Sequence, residues 1–308
     1  MTVRLTVERT RWFDHVDSTL QRVRNVAEPV PVVKGNGYGF GRQQLLDIAS
    51  TRASVVCVGS VHEIDGVPDA LDVVVLTPSL SGPDERAILT IGSAEHISPI
   101  KRSAQRVIVK LQSSMNRYGG AATLVDEARA AGLVVDGVAL HLPLEGSEDE
   151  RVTEVTQRLN GVPTDVDVWL SHIEPESIPL LPTEYSYRLR LGTLLWHGSR
   201  TSMHLEADVL DLRQLNGGDR AGYRRTPIER DCTVALIGAG TANGVHPLAD
   251  GRSPFHYQQQ RLDLVEPPHM HTSMVLIPSG NPVPDVGTFI DLQRPLTTTA
   301  VDEIVWAD

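Results

Sequence analysis

The feature that most constrains this chain is the alternation of short apolar runs with helix-like stretches between residues 13 and 191. Val30–Val33, Ser54–Val58, Val73–Leu76, Glu95–Ile97, Arg106–Lys110, Val134–Leu142, Asp167–Ser171 and Tyr187–Leu191 read as eight strands. Most are near-continuous Val, Ile and Leu runs, as expected of parallel strands buried on both faces. Phe13–Ala27, Gln43–Ser50, Val61–Gly66, Pro83–Ile91, Ala121–Ala131 and Glu150–Leu159 read as helices. In the first of these, Val16, Leu20, Val23 and Val26 share one face. Eight strands alternating with helices predict an α/β fold of the (β/α)8 TIM-barrel type. An open doubly wound sheet would instead carry a GxGxxG loop after its first strand. Lys34 and Tyr38 interrupt that fingerprint in Gly35-Asn36-Gly37-Tyr38-Gly39.

After Arg200 the pattern changes. Ala207–Arg213 alternates, Val234–Ile237 and Met274–Ile277 are short apolar runs, and glycines and prolines recur without a long helical period. A smaller, mostly β C-terminal domain is expected there. The expected boundaries are 8–203 for the barrel and 204–308 for the β domain, with residues 1–7 packing on the latter. A chain of 308 residues with 41% hydrophobic content can bury both cores.

A net charge of −11 argues against nucleic acid or an anionic membrane as the main partner. Cys57 and Cys232 lack metal-ligand spacing, so no metal is expected. Two lone cysteines fit a reducing cytoplasm. The N-terminal residues hold no apolar core of signal-peptide length, and no run approaches membrane-spanning length.

The candidate chemistry lies at the strand ends. In a parallel barrel, the C-terminal ends of the strands face the active site. Lys34 closes the first strand, with Tyr38 four residues on. Lys110 closes another and precedes Ser114-Met115-Asn116-Arg117-Tyr118-Gly119. His141 ends the next, and Arg190-Leu191-Gly192-Thr193 closes the barrel. Each residue alone has an ordinary structural explanation, such as a solvated loop lysine or a half-buried histidine. Together they form a site for an anionic ligand, in which a partly desolvated lysine is a candidate Schiff-base or proton-transfer group.

These same stretches resemble the alanine racemase family. Val32-Val33-Lys34 followed by Tyr38-Gly39 resembles its cofactor-lysine motif. The resemblance implies that Lys34 holds pyridoxal 5'-phosphate as an aldimine and that Tyr38 binds its phosphate. Lys110 with Met115-Asn116-Arg117-Tyr118-Gly119 resembles the family's often carbamylated lysine and its Met-Asn-Arg-Leu-Gly segment. There the arginine reaches the cofactor's phenolic oxygen and the substrate carboxylate. His141 resembles the histidine beside the ring. Arg190-Leu191-Gly192-Thr193 resembles the segment whose arginine faces the pyridine nitrogen and whose backbone, here Gly192 and Thr193, holds phosphate. An arginine at that nitrogen leaves it unprotonated, which favours reprotonation at Cα over transamination. The resemblance further implies an isomerase acting on a small amino acid, built as a homodimer with shared sites.

The sequence also departs from the family. Where the family has its second acid/base, a tyrosine in Gly-Tyr-Ala-Asp-Gly, this chain reads Gly240-Thr241-Ala242-Asn243-Gly244. Its Met-Asp becomes Met270-His271, with Met270 kept for substrate contact. Ser171-His172 stands in place of the phosphate-contacting Asn-Ser, and the C-terminus stops short of the family's last strands. Threonine is a far weaker acid than a phenol. The expected activity is therefore racemisation or epimerisation of a small or modified amino acid. His246 is the first substitute for the second proton, ahead of His271, Tyr223, Cys232 or water held by Thr241. The alternatives are a one-base lyase or decarboxylase on the same fold, or a non-catalytic pyridoxal-phosphate-binding protein.

Overall fold

The computed structural model describes residues 2–102 and 104–308. The chain divides into two compact units. One comprises Asp14–Gly35 and Arg42–Gly198; the other comprises Met1–Phe13, Asn36–Gly41 and Ser199–Asp308. This division places the Asn36–Gly41 loop outside the first unit, whereas the expected boundaries kept it within the barrel.

The first unit is a barrel of eight parallel strands. They are β1 (Glu28–Pro31), β2 (Val55–Val58), β3 (Asp72–Val75), β4 (Ala87–Ile91), β5 (Arg106–Lys110), β6 (Val134–Ala139), β7 (Asp167–Leu170) and β8 (Tyr187–Leu191). Neighbours in sequence pair from β2 through β8, and β8 returns to β1 with Val30 opposite Arg190. The ring closes between β1 and β2, where Val32 bridges Cys57 and the Val33 amide donates to the Cys57 carbonyl at 2.8 Å.

Two elements differ from the sequence reading. Ala87–Ile91, expected as the end of a helix, is strand β4, and Glu95–Ile97, expected as a strand, belongs to helical turns spanning Ala94–Ile100. All five residues of β4 are buried, so the run shows no two-residue period to separate it from a helix. The first helix runs Arg9–Arg24, starting earlier than its apolar period suggested.

The barrel interior is filled by alternate strand residues, among them Val30, Val55, Cys57, Val74, Ile88, Ile108 and Trp169. Gly137 is required beside Trp169, because a Cβ there would strike the indole. At the N-terminal strand ends, Arg106 pairs with Asp72 and Asp136, and Arg188 pairs with Glu28 and Asp167. These residues line a cavity of about 470 Å³. It lies at the opposite end of the barrel from Lys34, where such networks serve stability rather than catalysis.

The second unit is a mostly antiparallel sheet. Val3–Glu8 pairs with Met203–Leu215, which pairs in turn with Cys232–Ile237 and Phe289–Leu292; Ser273–Pro278 extends the sheet. Val3, Ala207, Val209, Ala235, Ile237, Val275 and Ile277 form its core. Trp12 packs on Phe40 and Trp306 at ring-centroid distances of 5.0 and 5.4 Å, and Asn36 Nδ2 donates to the carbonyls of Leu296 and Thr299. The glycine-rich loop is thereby fixed within this unit. Among the described residues, no helix is long and apolar enough to cross a membrane.

Candidate active site

The chain leaves β1 under tight control. The Val32 amide donates to the Leu191 carbonyl at 2.8 Å, the Val33 amide to that of Cys57, and the Trp196 indole to the Val32 carbonyl at 2.8 Å. Lys34 is the next residue, at the solvent-facing C-terminal end of the strands. Glu63 fixes the turn that follows, accepting the Gly35 amide at 3.1 Å and the Gly59 amide at 2.7 Å. A Cβ on Gly59 would stand 3.0 Å from a Glu63 oxygen and 3.3 Å from Lys34 Cβ, which crowds both. The sequence reading did not single out Glu63, because its role depends on a contact made across the barrel seam.

Lys34 has no hydrogen-bond or ion-pair partner among the described residues. Desolvation of the ammonium, then the charges of Arg117 and Arg190, hold it below the usual lysine range, while Glu63 acts in the opposite direction. Lys110, at the end of β5, is 4% exposed and likewise has no carboxylate partner among the described residues. Burial, Arg190 and Arg117 push it down to about 8. Its ammonium lies 5.0 Å from the centroid of the Tyr118 ring, and the Arg117 guanidinium lies 5.1 Å from that centroid. Tyr118, where the family motif has leucine, thus carries two cations on its π face and is anchored by its hydroxyl to the Leu76 carbonyl at 2.8 Å. The loop is held from outside by Glu154, which accepts from the Ser114 amide and hydroxyl at 2.5 and 2.7 Å. Glu154 lies in the helix Glu148–Arg158, whose start is closed by a Ser147–Glu150 capping box.

Arg190 comes from β8. Its Nη2 donates to the Leu140 carbonyl at 2.6 Å and to Ser171 Oγ at 2.8 Å, and Nε lies 3.4 Å from the Leu170 carbonyl. His141 lies beyond β6, with Nδ1 2.8 Å from Ser171 Oγ and its ring 4.4 Å from that of His172. Burial first, then Arg190, His172, Lys110 and Arg117, push His141 down to about 2, so it is neutral. His172 has the left-handed φ of 64°, uncommon for a side chain of its size, and its Nδ1 lies 2.9 Å from the Leu142 carbonyl. Cys57 lies beneath these groups, and burial pushes its thiol up to about 12, removing it as a nucleophile. Gly192 and Thr193 open the short helix Thr193–Trp196.

The barrel unit therefore brings together Lys34, Lys110, Arg117, His141 and Arg190, with Gly192 and Thr193 directly following β8. Tyr38, Thr241, His246 and Met270 belong to the other unit. Tyr38 is buried there at a φ of 55°. The amides of Thr241 and Ala242 donate to the carbonyls of His269 and Met270, each at 2.8 Å, so Thr241 and Met270 share one loop pair. Met270 is 67% exposed, and His246 is exposed as well. Beside them lies a cluster missed by sequence reasoning. The buried Glu266 accepts His269 Nε2 at 2.6 Å and the amides of Tyr223 and Arg224 at 2.8 and 2.9 Å, and the Tyr223 ring packs 4.7 Å from His269. Cys232 packs with Val234 and Ile228, and burial raises its thiol, which makes it a poor proton donor. No group of metal-ligating side chains is found among the described residues.

Comparison with known proteins places this geometry in context. The family pattern described as "Alanine racemase, N-terminal domain" matches residues 11–167. No curated protein matches. Among solved structures, alanine racemase of Clostridium difficile 630 superposes with a TM-score of 0.73 at 16% identity, covering 99% of this chain and 96% of that one. The biosynthetic alanine racemase of Pseudomonas aeruginosa gives 0.72 at 18% identity, covering 100% and 99%. Alanine racemase from Bartonella henselae, solved with covalently bound pyridoxal phosphate, gives 0.72 at 16% identity, covering 100% of both chains.

Proposed function

We propose, from the premise that this chain belongs to the alanine racemase family, that it is a pyridoxal-phosphate-dependent isomerase acting at the Cα of a small or modified amino acid. The observation that carries this reading is Lys34, an amine with no hydrogen-bond or ion-pair partner among the described residues and held toward its neutral form at the C-terminal mouth of the barrel. The residues fit the cofactor. Lys34, Lys110, Arg117 and Arg190 face one another through their charges, and Glu63, the acid acting on Lys34, already accepts two backbone amides. Such a cationic cluster suits a phosphate, a phenolic oxygen and a carboxylate.

Pyridoxal phosphate, when bound, supplies an aldehyde for Lys34 and an electron-withdrawing ring that acidifies the substrate Cα–H. The chain supplies the rest. Lys34 would hold the cofactor and would move the Cα proton on one face. Arg190, pinned by Leu140 and Ser171, would supply a permanent positive charge beside the ring and would oppose protonation of its nitrogen. Arg117 would orient the phenolic oxygen and the substrate carboxylate, and Tyr38, Gly192 and Thr193 would hold phosphate. Lys110, a buried amine near 8, is the candidate for carbamylation, since CO2 adds to the neutral form.

We assign the cofactor to a barrel domain of residues 8–203 and the second proton to the β domain, 204–308, of a partner copy in a homodimer, around Thr241 and Met270. His246 is the first substitute for the missing phenol there. The exposed Tyr223 and Met270 are the apolar surface that such an association would cover. The cytoplasm is the proposed location. Thr241 favours a second reading, in which Lys34 alone handles the proton and the outcome is a one-base lyase, decarboxylase or epimerase step. Incubation with L- and D-amino acids in deuterated water separates the readings. Cα deuterium with inversion supports the racemase; deuterium with retention, or a new product, supports the one-base enzyme. Cofactor bound without any exchange leaves only a carrier.

A further inference from the structure

Ser171 follows β7, is 5% exposed, and stands between two groups assigned to the cofactor. Its Oγ is 2.8 Å from Arg190 Nη2 and 2.8 Å from His141 Nδ1. A guanidinium only donates, so Ser171 accepts from Arg190. The hydroxyl still has one hydrogen to place, and among the described residues its other partner is His141 Nδ1. His141 carries a single ring hydrogen, because burial first, and then every charged or titratable group acting on it (Arg190, His172, Lys110 and Arg117), disfavours a second. With Nδ1 accepting from Ser171, that hydrogen sits on Nε2. Ser113 Oγ adds a 2.7 Å bond to the His141 carbonyl, which fixes its backbone, and His172 packs against the ring.

We propose that Ser171 is a positioning residue whose relay, Arg190 to Ser171 to His141, locks His141 as the Nε2–H tautomer. His141 then serves the site as a neutral hydrogen-bond donor to an anionic oxygen of cofactor or substrate. The same hydroxyl fixes the guanidinium that faces the ring nitrogen, so one side chain sets both the charge and the donor beside the ring. The inference rests on the assignment of Arg190 and His141 to the cofactor site, but the tautomer can be read without it.

The test is long-range proton–nitrogen NMR on the purified protein with ¹⁵N-labelled histidine, with the His141 signal assigned through His141→Gln. The wild type is expected to show the Nε2–H pattern, unchanged between about pH 5 and 8, well above the His141 value. Ser171→Ala should move His141 to the Nδ1–H form or to a mixture, and Ser171→Thr should restore the original pattern. An Nδ1–H tautomer in the wild type overturns the proposal without any variant, as does an unchanged signal in Ser171→Ala. A protein that shows the expected tautomers yet takes up no pyridoxal phosphate defeats the proposed function and leaves the relay standing. In a protein that binds the cofactor, Ser171→Ala is expected to shift the pH dependence of its visible absorbance, with Thr restoring it.

Discussion

Glu63 holds the residue after Lys34: its carboxylate lies 3.1 Å from the Gly35 amide while also accepting the Gly59 amide at 2.7 Å. The start of the loop that follows Lys34 is therefore tied to the end of β2 by one side chain, which also supplies a negative charge acting on Lys34. Glu63→Ala should cost about 2 kcal/mol, the range for a hydrogen-bonded charged group, read as a lower denaturant midpoint. It should also lower the pH at which Lys34 gains its proton, read from the pH dependence of its reaction with pyridoxal phosphate. Glu63→Gln keeps one acceptor for one amide and should fall between the two. A Lys34 profile unchanged in Glu63→Ala would show that the charge does not reach the amine.

Lys34 is expected to hold pyridoxal phosphate covalently. The protein supplied with cofactor should absorb in the visible range and be bleached by borohydride, with the label retained on the peptide that contains Lys34. Lys34→Ala should lose both signals. Retention of label in that variant would move the anchor to another lysine, with Lys110 the first to examine.

Lys110 makes stability depend on pH in a stated direction. Burial, Arg190 and Arg117 hold it at about 8 in the folded protein, below the ordinary lysine value of 10.5, so the unfolded chain binds the proton more tightly. The penalty for a buried ammonium is complete below about 8 and fades as the pH rises toward 10.5, so stability from this group increases across that window. Lys110→Met should flatten the increase and stabilise the protein at pH 7, on the order of 3 kcal/mol by the size of the shift. Urea titrations at pH 7 and 10 in CO2-free buffer check this. In bicarbonate, a mass increase of one CO2 on Lys110 would mark the carbamate.

Arg190 should control the fate of the substrate proton. Arg190→Glu places a carboxylate opposite the ring nitrogen, favours its protonation and should raise keto-acid formation from an amino acid. The same change removes a cation that now depresses His141, Lys110 and Lys34, so all three should titrate higher. A folded variant with unchanged keto-acid yield would mean that Arg190 does not face the nitrogen.

Thr241 sets the last expectation. General acid–base groups contribute roughly 10²–10⁴-fold, and a threonine hydroxyl replaces a phenol poorly. Native interconversion of L- and D-alanine should be slow compared with the typical enzyme rate of roughly 10 per second. Thr241→Tyr should raise it. A native enzyme working at the typical rate would send the search to His246, His271, Tyr223, Cys232 and the Glu266-bound His269, scanned for loss of exchange from one enantiomer.

The barrel was legible where burial on both faces leaves an unbroken Val and Ile signature, as in Val55–Val58. It was misread at Ala87–Ile91, where a proline four residues earlier imitates a helix start and complete burial erases the period. The site was legible in Lys34, Lys110, Arg117, His141 and Arg190, because charged or polar groups at the ends of apolar strands stand out locally. Glu63 and Glu266 gave no such signal, and Tyr118 and Ser171 stood out only as departures from the family's motifs, not through the contacts they make. Each acts through partners brought close by strand pairing or loop packing, and nothing in its immediate neighbours announces that contact.

The pairing of β1 with β8, Val30 opposite Arg190, also sets an order of assembly. The strand that leads into Lys34 emerges early in synthesis, yet its hydrogen-bonded neighbour is the last barrel strand made. Contacts so distant in sequence form late and slowly. Until Tyr187–Leu191 docks, the nascent chain has a lysine but neither the guanidinium beside it nor the closed ring around it. If Lys34 holds the cofactor as proposed, capture of its aldehyde should wait until the barrel is complete, and the cofactor should act as a late reporter of folding. Refolding followed through visible absorbance should lag behind refolding followed through backbone circular dichroism.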